Sequence, residues 1–149
     1  MRMKFAAAVA VIGVGFAGAA IGQIADPIPA RQEIMKENSA AMKAASAMAK
    51  GETPYNETEA AGAMAIIKDN MEEFPSMFPE DSMEGGKTRA LATIWENKAD
   101  FDAKSAKTAE DAAAAEQAAA QGQEAFAAAL GAVGGNCGAC HETYRGPAI

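Results

Sequence analysis

The sequence predicts an all-α protein, an antiparallel up-down-up-down four-helix bundle, from three observations. Beyond its first 22 residues the chain is rich in Ala, Glu, Lys, Met and Gln, which favour helices, and poor in β-branched residues. Four segments repeat apolar residues at intervals of three and four, which is typical of a helix with one buried face. Turn residues divide these segments into four helices joined by three connections.

The first two predicted helices form the N-terminal half of the bundle. Pro27 and Pro29 mark the start of the first helix, which should run to about Lys50. Its predicted inward stripe is Arg31, Ile34, Met35, Asn38, Met42, Ala45 and Met48. Asn56 is the predicted N-cap of the second helix because Glu59 follows three residues later, close to a capping box. The seam of this helix should be Ala60, Met64, Ile67, Met71 and Phe74.

A long connection covering residues 75–86 separates the second and third predicted helices. Because it is unusually long for a small bundle, it should be ordered or cover something. The third helix is expected to begin between Lys87 and Ala90 and to end near Ala120. It should carry Leu91, Ile94, Trp95 and Phe101, followed by an alanine-rich tract. We interpret the alanines as positions of close helix packing.

The fourth predicted helix follows the turn at Gln121 and Gly122. Its stripe steps by four and three through Phe126, Leu130, Val133, Cys137, Cys140 and Tyr144. Both cysteines therefore belong to the predicted buried face. Glycines at 131, 134, 135 and 138 remove bulk from this helix, which allows a flat group to approach its backbone. Each glycine also costs about 1 kcal/mol relative to alanine in a helix interior.

The stretch from Asn136 to His141 contains both cysteines and the only histidine of the chain. Its C-x-x-C-H spacing is the attachment signal for a c-type haem. On a helix, Cys137 and Cys140 face the same side and reach the two vinyl groups of one porphyrin. His141 can then place an imidazole nitrogen under the iron, as proximal histidines do. We expect one covalently attached haem c near the C-terminal end of the fourth helix.

Two other interpretations of the cysteine pair stay open at this point. A thiol redox motif usually accompanies a βαβ pattern, and no strand pattern lies near these residues. A structural zinc site needs four ligands, and the chain has no further Cys or His to supply them. Covalent haem is therefore favoured over a thiol redox or metal-binding protein without haem.

Residues 1–22 have the three-part pattern of a secretory signal peptide, so the four-helix-bundle domain should span residues 23–149. Arg2 and Lys4 form a positive region, an apolar run follows, and small residues lead to a cleavage site near Ala19 to Gly22. Bacteria attach haem to C-x-x-C-H motifs outside the cytoplasm, so a periplasmic location is expected. The alternative is an uncleaved membrane anchor, for which the apolar run is short and rich in Ala and Gly.

The chain is acidic, with 13 basic and 20 acidic residues. Removal of Arg2 and Lys4 with the signal peptide leaves 11 basic residues, so the net charge becomes −9. This charge argues against nucleic acid and against anionic membranes as partners. It would suit a redox partner with a basic docking face, although solubility explains it equally well.

The predicted topology places the start of the first helix beside the end of the fourth, opposite the haem. Arg31 and Met35 are four residues apart and share a face there. Met71, Met77 and Met83 are also expected near this end, so geometry alone selects no single sulfur as an iron ligand. A methionine on an apolar stripe is most often core filling, and the chain has nine.

The chain resembles the cytochrome c′ (c-prime) family, the class II c-type cytochromes, over essentially its whole mature length. The motif is followed by Glu142-Thr143-Tyr144-Arg145 on the last helix of an exported bundle. Further similarity lies at Arg31-Gln32, the turn from Gly51 to Tyr55, Glu84-Gly85-Gly86 and Ile94-Trp95. The segment from Arg31 to Lys36 is similar to the low-spin branch, in which a methionine is the sixth iron ligand.

This resemblance implies that His141 is the proximal iron ligand and Met35 the distal one. It also implies that Arg31, Gln32 and Arg145 lie near the haem propionates. An iron with His and Met ligands has no open site, so the expected function is one-electron transfer to redox partner proteins and not enzymatic catalysis. The alternative is a five-coordinate, high-spin protein that binds or scavenges nitric oxide. Relatives often form homodimers through faces of the first two helices.

Overall fold

The computed structural model describes residues 26–148 and contains five α-helices in that part of the chain. They are α1 (Pro27–Ala49), α2 (Glu57–Glu73), α3 (Thr93–Glu96), α4 (Lys98–Ala119) and α5 (Gln123–Tyr144). Helix α1 packs on α2, α2 on α4, α4 on α5, and α5 on α1, which closes a four-helix bundle. The predicted fold class is confirmed. The predicted signal peptide and its cleavage site lie outside the described residues.

Both predicted N-terminal helices begin at side-chain caps. Asp26 is the N-cap of α1 and precedes Pro27, the first residue of the helix. Its Oδ1 accepts a hydrogen bond from the Ile28 amide at 3.3 Å. The Glu59 amide donates to Asn56 Oδ1 at 3.0 Å, which confirms Asn56 as the N-cap of α2. At the far end of α1 the chain reverses at Gly51, whose φ of +73° favours glycine because it lacks a Cβ.

The predicted start of the third helix is wrong. Residues 88–92 lie outside the helices, the short α3 ends at Glu96, and α4 begins only at Lys98. The backbone before α3 pairs instead with the chain end. The Leu91 amide donates to the Tyr144 carbonyl at 3.1 Å, and the Gly146 amide donates to the Arg89 carbonyl at 2.7 Å. These tertiary hydrogen bonds override the local preference for helix, and Leu91 is left exposed.

The core is built from small side chains at the C-terminal end of α4 and from large aromatic side chains at its N-terminal end. Four alanines of α4 are buried, so the interpretation of the alanine-rich tract as close packing is confirmed: Ala109, Ala112, Ala115 and Ala119. At the other end, an aromatic cluster contains Phe74, Phe78, Trp95, Phe101 and Tyr144. Within residues 26–148, no helix is both long enough and apolar enough to cross a membrane.

The connection after α2 is ordered, as expected from its length. It forms two 3₁₀ turns, Phe74–Met77 and Glu80–Ser82. Trp95 Nε1 donates to the Pro79 carbonyl at 3.0 Å, which attaches this connection to α3. The connection therefore closes the end of the bundle at which α1 begins and α5 ends.

Candidate functional site

A cavity of about 660 Å³ opens at that end of the bundle. Its size falls within the range of roughly 300–1,000 Å³ found for ligand and cofactor sites. Its walls come from α1 as far as Met42, the end of α2, the connection after it, the segment before α3 and the last turns of α5. Ile94 of α3 and Thr108 of α4 also line it. All seven residues predicted to bind haem or its iron line this one cavity: Arg31, Gln32, Met35, Cys137, Cys140, His141 and Arg145.

The C-x-x-C-H residues lie half-buried on the last turns of α5 and face the cavity. Burial raises the pKa of both thiols, so Cys137 and Cys140 are neutral. Burial, followed by the nearby charges of Arg145 and Arg89, lowers the pKa of His141. Its imidazole is therefore neutral, and neutral imidazole is the form that coordinates iron. The donor set and the cavity fit a covalently bound porphyrin.

The two alternatives to haem find little support at this site. A reactive redox thiol needs a lowered pKa, whereas burial raises the pKa of both cysteines. Residues 26–148 contain no group of three or more His, Cys, Asp or Glu side chains arranged to hold a metal ion. The histidine beside the thiols thus has no set of partners for a zinc site.

Three methionines line the cavity, whereas two of the methionines that the sequence suggested as iron ligands do not. Met35, Met42 and Met71 line it. Met77 is buried in the core outside the cavity, and Met83 is 44% exposed on the surface. The choice of a sulfur ligand therefore narrows to three side chains, two on α1 and one on α2.

The surroundings of the three cavity methionines differ. The Met71 sulfur accepts a hydrogen bond from Asn38 Nδ2 at 3.5 Å. The Met42 methyl group packs against α5 and lies 3.9 Å from the position that a Cβ on Gly134 would occupy. Met35 is half-buried, and its sulfur accepts no hydrogen bond from the residues that the structure describes. Of the four glycines in α5, only Gly134 has such a neighbour.

The polar residues expected at the propionates differ in exposure. Arg31 is 4% exposed and donates to carbonyl and hydroxyl oxygens of the connection after α2. Gln32 is exposed, and its Nε2 donates to the Lys87 carbonyl at 2.6 Å. Arg145 is also exposed, directly after α5. The last two are open to a bound ligand, while much of the hydrogen-bonding capacity of Arg31 is already used.

Sequence reasoning missed one wall of the cavity, the segment from Lys87 to Ala90. This segment bridges α1 and α5, because Lys87 accepts from Gln32 and Ala90 pairs with Arg145. Arg89 Nε also donates to the carbonyl oxygens of Gly146 and Pro147, at 2.9 and 3.0 Å. The available signal was Gly85-Gly86, which separates these residues from the preceding connection and argues against helix.

Comparison with known proteins decides the family. The family model described as cytochrome c′ matches residues 26–145, which includes the cavity and the C-x-x-C-H motif. The chain belongs to the cytochrome c′ family. Members bind a covalently attached c-type haem, so this chain is a c-type cytochrome. The family consists of haem electron carriers and gas-binding proteins.

Individual relatives agree along nearly the whole chain. A cytochrome c′ of Rhodopseudomonas palustris is 39% identical over 97% of this chain and 96% of its own length. A cytochrome c-556 of Agrobacterium fabrum is 36% identical over 97% of both chains. The solved structure of cytochrome c′ from Rhodopseudomonas palustris is 38% identical, with a TM-score of 0.78 over 83% of this chain and 98% of that one.

Proposed function

We propose that this cytochrome c′ family member is a one-electron carrier whose haem iron is ligated by His141 and Met35. The observation that carries the proposal is that Met35 on α1 and His141 on the neighbouring α5 line the same cavity, with the Met35 sulfur free of hydrogen bonds from the described residues. Thioether sulfur is a neutral ligand that raises the reduction potential of a haem.

The two other cavity methionines are less suited to ligation. The sulfur of Met71 is already hydrogen-bonded, and its carbonyl oxygen accepts from Ser105 Oγ at 2.7 Å. Met42 lies two turns beyond Met35 along α1 and packs against Gly134. Met35, near the start of α1, is level with the end of α5 that carries His141. This relationship supports Met35 as the ligand.

Different residues of the chain would attach the haem, ligate its iron and contact its propionates. Cys137 and Cys140 would attach it, and His141 would supply a nitrogen ligand from the same helix. Gln32 and Arg145 are exposed at the cavity and can donate to the two carboxylates of the propionates. When bound, the haem supplies the one-electron couple. If His141 and Met35 both bound the iron, electron transfer would require little change in its surroundings.

A second candidate function is the binding of a small gas molecule such as nitric oxide by a five-coordinate haem. The relative from Rhodopseudomonas palustris named cytochrome c′ favours it. A solved structure of a variant from Alcaligenes xylosoxidans, 26% identical with a TM-score of 0.72, is that of a nitric oxide complex. In this function Met35 would pack on the cavity wall and leave the distal side of the iron open.

The absorption spectrum of the haem-loaded protein tests the proposal. We expect low-spin bands in the unmodified protein and the weak near-infrared band of methionine bound to ferric haem. Met35→Ala should retain haem, become largely high-spin, lose that band and bind carbon monoxide readily in the ferrous state. Met42→Leu, a matched change on the same helix, should leave the spin state unaltered. A high-spin spectrum of the unmodified protein would instead support the gas-binding function.

The electron donor and acceptor are expected to be proteins of the bacterial periplasm. The net charge of the chain suggests a partner with a basic docking face. Around the cavity, however, the exposed charged side chains are Lys87, Arg89 and Arg145. A basic partner would therefore dock away from these three residues and an acidic one beside them. The partner and the homodimer both stay predictions.

A further inference from the structure

A short chain of polar side chains runs from the surface of the bundle into the haem cavity between α1 and α2. Asn38 is 9% exposed, lines the cavity and lies one helical turn beyond Met35. Asn70 Nδ2 donates to Asn38 Oδ1 at 2.9 Å and to Glu37 Oε2 at 3.1 Å. Asn38 Nδ2 in turn lies 3.5 Å from Met71 Sδ.

The order of donors and acceptors among these side chains fixes the orientation of the Asn38 amide. The Glu37 carboxylate accepts hydrogen bonds, so the amino group of Asn70 faces it. Asn70 then has donors, and no acceptor, to offer Asn38, which must turn its oxygen toward Asn70. The amino group of Asn38 is consequently directed at Met71. A flipped amide would set two amino groups against each other at one end and oxygen against sulfur at the other.

Met71 is held at both ends by these contacts. Its carbonyl oxygen accepts from the buried hydroxyl of Ser105 on α4, and its sulfur accepts from Asn38. If the Met71 sulfur moved to bind iron, the amino group of Asn38 would lose an acceptor in a buried position, which is unfavourable. The described residues place no comparable restraint on the sulfur of Met35.

We propose that Asn38 is a positioning residue that holds the Met71 sulfur against the cavity wall and so reserves the sixth iron position for Met35. The inference rests on the proposed function for the identity of the preferred ligand. It adds that Met71 is a second methionine lining the cavity and that the amide of Asn38 keeps its sulfur from the iron. Asn38 acts through Met71 and does not itself ligate the metal.

The role of Asn38 is tested by the spin state of the haem-loaded protein in variants that lack Met35. Met35→Ala should be largely high-spin. Met35→Ala combined with Asn38→Leu, which keeps the side-chain size and removes the donor, should return to largely low-spin with a methionine–iron band. Its ferrous form should bind carbon monoxide at least about tenfold more weakly than Met35→Ala, because Met71 then competes for the iron. Addition of Met71→Leu to this double variant should restore the high-spin state and the affinity for carbon monoxide.

Two further variants serve as a control and as a milder test of the same contact. Ser39→Ala changes an exposed polar residue that also lines the cavity, and in the Met35→Ala background it should leave the protein high-spin. Asn70→Ala removes the group that orients Asn38 and is a milder change because Asn70 is only half-buried. It should increase the low-spin fraction in the same direction as Asn38→Leu, even if the latter variant folds poorly.

The outcomes separate this inference from the proposed function. A high-spin unmodified protein would overturn ligation by Met35. Asn38→Leu would then be examined alone: conversion to low-spin would support the restraint on Met71, and an unchanged spectrum would overturn it. If the unmodified protein is low-spin, the restraint is overturned in two cases. Either Met35→Ala alone stays low-spin through Met71, or the variant that also carries Asn38→Leu stays high-spin.

Discussion

Arg31 of α1 donates a hydrogen bond from Nε to the carbonyl oxygen of Met77 at 2.7 Å. Its two other nitrogens donate to the carbonyl and hydroxyl oxygens of Ser82. The guanidinium also lies over the ring of Phe78, 4.1 Å from the ring centre. One buried cation thus fastens the connection after α2 to the start of α1, beside the haem cavity. A contact between Arg31 and a propionate stays a prediction.

Replacement of Arg31 by methionine should destabilise the protein. Arg31→Met keeps much of the apolar contact with Phe78 but leaves buried oxygens of Met77 and Ser82 without a donor. We expect a loss of about 3 kcal/mol in the free energy of unfolding, because each unsatisfied buried group costs about 1–3 kcal/mol. The thermal midpoint of the haem-loaded protein should fall by about 10 °C.

Lys36→Met is the matched control for this substitution. Lys36 lies on the same helix, its side chain is 76% exposed, and its ion pair with Glu33 is on the surface. Such pairs contribute about 0–1 kcal/mol, so its midpoint should hardly move. Equal midpoints for the two variants would mean that the contacts of Arg31 contribute no more than a surface charge.

Local patterns predicted most of this fold. Helix caps such as Asn56 and apolar stripes such as that of α5 depend on residues close in sequence, and both were recognised. The start of the third helix was mispredicted because backbone hydrogen bonds that join Leu91 and Arg89 to the chain end decide it. Those partners lie more than 50 residues away, and no periodicity within the segment reveals them.

The candidate site divides in the same way. Cys137, Cys140 and His141 are predicted from spacing alone, because the expected attachment and proximal ligation use neighbouring residues on one helix. The distal side depends on which methionines of α1 and α2 reach the cavity, and that depends on helix packing. Met77 and Met83 could be set aside only once the connection after α2 was seen to direct them elsewhere.

Covalent haem attachment is the most direct prediction to check. The Cys137→Ala, Cys140→Ala double variant should lose all covalently bound haem, since no other cysteine exists in the chain. It should also be destabilised, because the cavity between α1 and α5 would lose the group that fills it. Haem-stained denaturing gels measure the first effect. Thr143→Ala, on an exposed position of the same helix, should stain as strongly as the unmodified protein, whereas a stained band in the double variant would contradict attachment.

If the protein is exported as predicted, its mature form should have a defined N-terminus. The three-part pattern of residues 1–22 should lead to a chain that starts between Ala20 and Asp26 and is recovered from the periplasm. Intact mass measurement of the haem-loaded protein gives the cleavage site. Reversal of the positive region by Arg2→Glu and Lys4→Glu should cause unprocessed chain to accumulate without covalent haem. Recovery of full-length material in the membrane with Met1 retained would indicate an anchored cytochrome.

Tyr144 joins the end of α5 to α4 and should make stability depend on alkaline pH. Its hydroxyl donates to Asp100 Oδ2 at 2.5 Å, and its ring packs edge-on against Phe101 at 5.3 Å. Burial, followed by the hydrogen bond and charge of Asp100, raises the pKa of Tyr144 to about 12. The folded state therefore favours the neutral phenol more strongly than the unfolded state, whose tyrosine pKa is about 10.

The sign of the effect follows from this difference. A group whose pKa is raised by folding stabilises the protein fully below its unfolded pKa, and this stabilisation is lost as the pH rises through the folded value. Tyr144→Phe should thus lower the free energy of unfolding by about 2 kcal/mol near neutral pH, because a hydrogen bond to a charged group is lost. The difference between the two proteins should shrink between about pH 10 and pH 12, as denaturant midpoints at several pH values would show. Asp100→Asn retains an acceptor without the charge and so lowers the folded pKa of Tyr144; in that variant the loss should be complete at lower pH. A difference between Tyr144→Phe and the unmodified protein that stays constant through this range would mean that the Tyr144 hydroxyl is not held neutral by its contact with Asp100.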